Sequence, residues 1–226
     1  MSDRTALITG GTGGLGGAVT AAFVAAGWRT VVPVRKDPPA GGDAVYVTAD
    51  LTDPAAVQAA VATAAGDPAA PLRAVVNLVG GYAQSGLVHE TPIEKFERML
   101  ALNLRPTYLV TQAALPHLVD AGGGAVVCVS SRAAVSPFPG AAGYVTAKAA
   151  VLAFASAVAV EYKARGVRCN TVLPSVIATP ANRAAQPDAD QSRWVDPADI
   201  ATVIRFLAGE ESAPTSGAAV PVYGRA

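Results

Sequence analysis

Residues 6–19 read ALITGGTGGLGGAV. The β-branched run TALIT (5–9) leads into a glycine-rich loop, and the loop into a helical stretch over 14–26. Glycines therefore stand at a strand-to-helix turn. Two spacings overlap there, Gly11-x-Gly13-x-x-Gly16 and Gly10-x-x-x-Gly14-x-Gly16. Either lets backbone N–H groups approach a phosphate-bearing ligand, and the helix amino terminus adds partial positive charge. No Lys-Ser or Lys-Thr follows the glycines, which excludes a Walker loop. The glycines alone do not say which set is used.

The rest of the chain repeats the strand–helix alternation. Strands are expected at 29–34, 44–49, 73–79, 124–131, 167–173 and 218–222, and helices at 54–65, 144–164 and 196–208. Residues 92–119 carry a helical pattern interrupted at Pro106. Asp53-Pro54 and Asp196-Pro197 read as helix starts, an acidic N-cap followed by proline at the first helical position. This pattern predicts an α/β fold: one doubly wound (Rossmann) domain over 1–226, a parallel sheet of about seven strands with helices on both faces. In such sheets ligands bind at the carboxyl ends of the strands. The segment 180–195, PANRAAQPDADQSRWV, reads as a mobile loop on the substrate side.

Composition narrows the partners. The chain of 226 residues is 51% hydrophobic, and 17 basic residues balance 17 acidic ones. A neutral balance gives no reason to expect nucleic acid or an anionic membrane as partner. The amino-terminal residues lack the apolar core of a signal peptide, and no apolar run reaches membrane-spanning length, so a cytoplasmic protein is expected. Cys128 and Cys169 sit in strand-like runs and read as buried reduced thiols. His89 and His117 stand alone, so no metal site is expected.

The end of the second strand bears on which dinucleotide is bound. An acid there would meet the ribose 2′-OH of NAD, and a base the 2′-phosphate of NADP. VVPVRKD places Arg35 and Lys36 at that edge, with Asp37 slightly late. NADP(H) is the expected cofactor, with NAD(H) possible and Arg35 on the 2′-phosphate; the plain alternative is two solvated surface bases.

Distant residues decide the chemistry. Tyr144 and Lys148 lie one helical turn apart at the start of a helix and so share a face. Ser131 stands at the carboxyl end of the fifth strand, and Asn103 stands just before the break at Pro106. Singly each has a structural reading: a half-buried tyrosine, an exposed lysine, a turn-capping serine, a backbone-bonded asparagine.

Together they resemble the short-chain dehydrogenase/reductase family, in its single-domain Tyr-x-x-x-Lys branch. The resemblance covers essentially the whole chain through TGGTGGLG (9–16), Asp50-Leu51, NLVG (77–80), Asn103, Ser131, YVTAK (144–148), NTVLPSVIAT (170–179) and DPADIATVIRFLAGEESAPTSG (196–217). It implies the spacing Gly10, Gly14 and Gly16, with Thr12 and Leu15 in the same loop. It also implies dinucleotide contacts at Asp50, Leu51, Asn77, Gly80, Pro174, Ile177 and Thr179. Lys148 would lower the pKa of Tyr144 and hold the nicotinamide ribose, Ser131 would donate to the substrate oxygen, and Asn103 would hold a water leading to Lys148. Three departures stand out: NLVG for Asn-Asn-Ala-Gly, Ser175 for a glycine, and VPVYGRA without Asp-Gly-Gly. Ser175 is expected to make that backbone less permissive, since a non-glycine residue resists positive φ.

The function expected is interconversion of a carbonyl and an alcohol by hydride transfer, Tyr144 being the acid/base, in a ketone or 3-oxoacyl-type reductase using NADPH. Alternatives are a dihydropteridine-reductase-like enzyme, suggested by NLVGGYA, a catalytically silent dinucleotide-binding sensor, and a Rossmann methyltransferase, in which the Tyr–Lys pair has no job. Substrate contacts are expected from 80–90, 132–143 and 180–195, which hold Tyr82, His89, Phe138 and Trp194. Arg132 reads first as a surface arginine and second as a group for an anionic substrate. A homodimer or homotetramer is expected through the helices near 106–120 and 144–164.

Overall fold

The computed structural model describes residues 2–36, 38–39 and 41–225. Seven strands are described: β1 (Thr5–Thr9), β2 (Arg29–Val34), β3 (Val45–Thr48), β4 (Leu72–Asn77), β5 (Gly124–Val129), β6 (Val167–Pro174) and β7 (Ala219–Val222). They form one sheet in the order β3-β2-β1-β4-β5-β6-β7. Every pairing is parallel. The chain runs outward from β1 to β3, then returns to place β4 beside β1, with Thr9 opposite Asn77 at their carboxyl ends. That reversal opens the crevice in which such sheets bind ligands.

Side-chain alternation sends neighbouring strand residues to opposite faces. Leu7, Val31, Val75, Val126, Cys128 and Cys169 pack into one core, with residues of α2 (Pro54–Ala65), α4 (Arg105–Asp120) and α5 (Ala142–Glu161). Ala6, Ile8, Val32, Val76, Val127 and Val172 face the other way, onto α1 (Gly16–Ala25) and α7 (Pro197–Ala208). Both cysteines are free and fully buried. By length and composition α5 is apolar enough to cross a membrane. Here it packs on α3 (Ile93–Asn103) and β6, with Gly143, Lys148, Val151, Ala155 and Val158 buried, so it serves as a core helix.

Helix starts follow their caps. Asp53 accepts from the Ala55 N–H at 3.0 Å, and Asp196 from the Ala198 N–H at 2.8 Å, each followed by proline. The helical pattern over 92–119 divides at Leu104 into α3 and α4, with Pro106 in the first turn of α4. Pro116 lies inside α4, where the pattern had shown no break. The segment 180–195 is more regular than expected. It holds α6 (Pro180–Ala185) and a 3-10 turn at Gln191–Arg193, and Val195 pairs with Ile177. The reason is another cap-plus-proline start: the Thr179 hydroxyl accepts from the Asn182 N–H at 3.2 Å, and Pro180 follows.

Candidate active site

The glycine loop joins β1 to α1 at the crevice. Gly10 has φ +67°, a left-handed conformation that disfavours any side chain. A Cβ on Gly16 would lie 1.9 Å from the Gly10 carbonyl oxygen, so the turn closes only with glycine there. A Cβ on Gly14 would meet Thr179 at 2.8 Å, whereas one on Gly13 meets only the Gly10 oxygen, at 3.3 Å. The loop thus requires the Gly10, Gly14 and Gly16 set. Gly11 is required too, for a separate reason: it packs on Thr20 and Val32. Thr12 is exposed on the loop and Leu15 is half-buried. Leu15 gives α1 no side-chain cap, and the first turn has no acid. Its amino-terminal N–H groups therefore lack a side-chain acceptor, a cradle that suits a pyrophosphate.

Arg35 and Lys36 are exposed at the carboxyl end of β2, and Asp37 lies outside the described residues. Asp50 is exposed beyond β3, and its Oδ1 accepts from the Thr52 N–H (2.9 Å) and hydroxyl (2.8 Å). These bonds hold its carboxyl below the usual range, with a small further contribution from Arg35. Leu51 beside it is buried in the core.

Four polar groups converge above β4 and β5. Asn103, fully buried at the end of α3, clasps Gly81: its Oδ1 accepts the Gly81 N–H and its Nδ2 donates to the Gly81 oxygen, both at 3.0 Å. A Cβ on Gly80 would stand 2.6 Å from Asn103 Oδ1 and 3.1 Å from Lys148 Nζ, so only glycine lets these side chains meet. Close packing of α5 on α3 brings them together, since Gly143 lies against Phe96 and Met99. Asn77, at the end of β4, donates to Thr111 Oγ1 at 3.0 Å, and its buried Oδ1 has no partner among the described residues.

Lys148 is 6% exposed. Its Nζ donates to the Val129 oxygen at 3.0 Å, and the Ser130 hydroxyl donates to the Lys148 oxygen at 2.7 Å. Burial lowers its pKa to about 8, against a small opposing effect from Cys128. The Tyr144 ring lies 6.0 Å from that ammonium. Ser131 accepts from the Ala133 N–H at 3.1 Å, and its hydroxyl acts on the Tyr144 phenol. Tyr82 stacks edge-on against Tyr144, ring centroids 5.1 Å apart, and Phe138 tilts against Tyr82 at 6.2 Å.

One expectation is reversed. The Tyr144 pKa lies above its ordinary value, raised by burial and by Tyr82 and only partly offset by Ser131. Desolvation disfavours phenolate, and the ammonium expected to counter it is held by Val129. Ser175 also departs from expectation: among the described residues no non-glycine has positive φ, so it fits without strain. Its hydroxyl donates to the Tyr223 oxygen at 2.8 Å. Pro174 is buried at the end of β6. The Ile177 oxygen accepts from the Thr179 N–H at 2.7 Å. Thr179 both caps α6 and packs on Gly14, linking this segment to the glycine loop. His89 is exposed, 3.8 Å from Glu90, and Trp194 is half-buried just past the 3-10 turn Gln191–Arg193. The Val129 carbonyl is a member that sequence patterns do not mark, since any residue supplies one.

Comparison with known proteins agrees. The family model for short chain dehydrogenases matches residues 4–190. This chain is a short-chain dehydrogenase. The 2-(R)-hydroxypropyl-CoM dehydrogenase of Xanthobacter autotrophicus is 34% identical to it, over 98% of this chain and 98% of that one. A short-chain type dehydrogenase/reductase from Mycobacterium ulcerans superimposes with TM-score 0.91 at 28% identity, covering 100% of this chain and 90% of that one. A structure described as ElxO with NADP bound gives TM-score 0.90 at 25% identity, covering 98% of each. As a family member this short-chain dehydrogenase is an NAD(P)-binding oxidoreductase that acts on the CH–OH group of small molecules.

Proposed function

We propose that this enzyme reduces ketones, of the simple or 3-oxoacyl type, with NADPH as the preferred cofactor and Tyr144 as proton donor. The observation that carries the reading is the convergence of Tyr144, Ser131, Lys148 and Asn103 at the carboxyl ends of β4 and β5. The glycine cradle and uncapped start of α1 would hold the pyrophosphate, Arg35 and Lys36 the 2′-phosphate, and Asp50, Leu51, Asn77, Gly80, Pro174, Ile177 and Thr179 the remaining parts. The bound dinucleotide supplies the hydride.

The chain's own residues supply position and proton. Ser131 donates to the substrate oxygen as negative charge grows there. Tyr144, its pKa raised by burial, keeps its proton at neutral pH and is suited to give it to that oxygen. Lys148, at about 8, is mostly charged at pH 7, and its ammonium would favour the phenolate that remains. Asn103, clasping Gly81, fixes the floor on which Lys148 lies. Tyr82 and Phe138 offer an aromatic wall to an apolar substrate group.

The test follows absorbance of NADPH across a panel of ketones, with NADH in parallel. Tyr144→Phe is expected to lower kcat/KM roughly 10²–10⁴-fold. Near-normal turnover in that variant overturns the assigned donor, and equal kcat/KM with NADH overturns the cofactor preference. The bond that holds Lys148 on the Val129 oxygen favours one second reading, a silent dinucleotide-binding sensor; dinucleotide binding without any turnover would support it.

We further infer a homodimer or homotetramer through α4 and α5. Their outer surfaces carry the stacked pair Tyr108 and Phe154 (5.6 Å) and Val160, which is 79% exposed. A monomeric mass by light scattering at micromolar concentration would count against it.

A further inference from the structure

One charged group beside the site has no work in the scheme above. Arg132 follows Ser131 directly and opens the 3-10 turn Arg132–Ala134 that Ser131 caps. The residue is half-buried, and its guanidinium carbon lies 5.0 Å from the centre of the Tyr223 ring. Among the described residues it makes neither an ion pair nor a side-chain hydrogen bond. The other half-buried arginines differ in this respect. Arg205 lies 3.1 Å from Glu211, and Arg29, Arg73 and Arg168 each donate to backbone carbonyls. Arg4, which also stacks on an aromatic ring, lies 3.8 Å from Asp3 and is on the opposite edge of the sheet, before β1.

The position says which side of the site the cation serves. Tyr223 follows β7 and is tied to Ser175 after β6. Arg132 therefore leans toward the β6–β7 side of Ser131, away from the glycine loop on β1. Arg35 stands at the end of β2, with β1 and β4 between it and β5. At about 4.8 Å per strand that separation is roughly 14 Å. The two cations therefore serve different anions, and Arg132 does not meet the 2′-phosphate. Arg193, on the neighbouring segment, is less free, since it donates to the Arg225 oxygen at 3.1 Å and acts on Asp190. Stacking on Tyr223 fixes the plane of the Arg132 guanidinium and leaves its edge, a fork of N–H donors matched to an oxyanion, without a partner.

We propose that Arg132 is a specificity-determining residue that selects carbonyl substrates carrying an anionic group, a carboxylate or a sulfonate, a few bonds from the reacting carbon. The proposal rests on the reading of Ser131 and Tyr144 as the reducing site for where that carbon sits. Ser131 and Arg132 are successive residues, and the guanidinium leans from Ser131 toward Tyr223, so the anionic group is expected on that side of the reacting carbon.

The experiment compares 4-oxopentanoate and 3-oxobutane-1-sulfonate with the neutral methyl 4-oxopentanoate, using NADPH and the full chain. The anions are expected to have kcat/KM about tenfold above the ester, the size of one charge-assisted hydrogen bond at a partly exposed site. Arg132→Met should bring that ratio near one, and Arg132→Lys should retain part of it. Independently of turnover and of any variant's folding, phenylglyoxal labelling of Arg132 in the wild-type protein, read by mass spectrometry, should slow with 4-oxopentanoate and not with its ester. Reduction of acid and ester at equal rates, without selective protection, overturns the role of Arg132 and leaves the reductase reading intact. Selective protection with no reduction of any compound supports Arg132 as an anion site and removes the reductase reading.

Discussion

The two edges of the sheet treat their polar groups differently. At the amino edge, where helices end, three arginines near strand starts are matched to carbonyls. Arg29 donates to the Thr63 and Ala64 oxygens in the last turn of α2, at 3.2 and 3.1 Å. Arg73 donates to the Ala121 oxygen just past α4. Arg168 reaches the Leu207 and Gly209 oxygens at the end of α7 and the Ser212 hydroxyl, each at 2.9 Å. The last carbonyls of a helix lack intrahelical partners and carry partial negative charge, so a cation there meets both needs. Arg4, just before β1, is an exception, its Nε buried without a hydrogen-bond partner among the described residues and its guanidinium stacked on Trp28. At the carboxyl edge three groups are left short. Asn77 Oδ1 is unpartnered among the described residues, Lys148 is buried on a single carbonyl, and Arg132 stacks without an acceptor. Buried polar groups are normally paired, so groups left short mark the edge where a ligand completes the set.

The largest effect expected from this contrast is at the amino edge. Arg168→Met leaves the buried Leu207 and Gly209 carbonyls with the Ser212 hydroxyl as their one side-chain donor, and takes from that hydroxyl the donor it accepts from. Hydrogen bonds to charged groups contribute about 1.5–3 kcal/mol each and do not add fully, so a loss of about 3 kcal/mol is expected. Urea unfolding measures it. A loss within about 0.5 kcal/mol, the range of an ordinary surface substitution, would show that the amino edge is no better matched than the other.

Much of this architecture is legible in the chain because it rests on local pattern. Apolar runs of strand length alternate with alanine-rich helices, and Asp53-Pro54 and Asp196-Pro197 announce helix starts that the structure contains. Thr179-Pro180 carries the same signal, but the prolines and polar residues that follow it read as a loop, and the short α6 is visible only in the structure. The meeting of Tyr144 and Lys148 follows from helical spacing. What cannot be read is any contact between distant segments whose partner is a backbone atom or depends on packing depth. The bond from Lys148 to the Val129 oxygen, the stacking of Tyr82 on Tyr144 and the arginine–carbonyl pairs are of this kind. The direction of the Tyr144 shift belongs with them. Spacing brings an ammonium near, but only three-dimensional burial decides whether desolvation or that charge prevails.

A smaller effect, opposite in sign, is expected at the carboxyl edge. Burial lowers the Lys148 pKa from 10.5 to about 8, while the unfolded chain keeps the ordinary value. Between those two pH values the unfolded state binds more protons, so stability rises with pH through that window. Below pH 8 the folded protein bears the full penalty of a buried ammonium, roughly 3 kcal/mol at about 1.4 kcal/mol per pKa unit. Lys148→Met removes that penalty and gives up one bond to the Val129 oxygen, a loss of about 1 kcal/mol. The variant should therefore be inactive as a reductase yet about 2 kcal/mol more stable than wild type at pH 7, with the advantage shrinking between pH 8 and 10.5. Urea unfolding of both proteins at pH 7 and pH 10 measures the difference. A variant less stable than wild type at pH 7 would mean that Lys148 is matched within the fold as fully as Arg168, and the contrast between the two edges would fail.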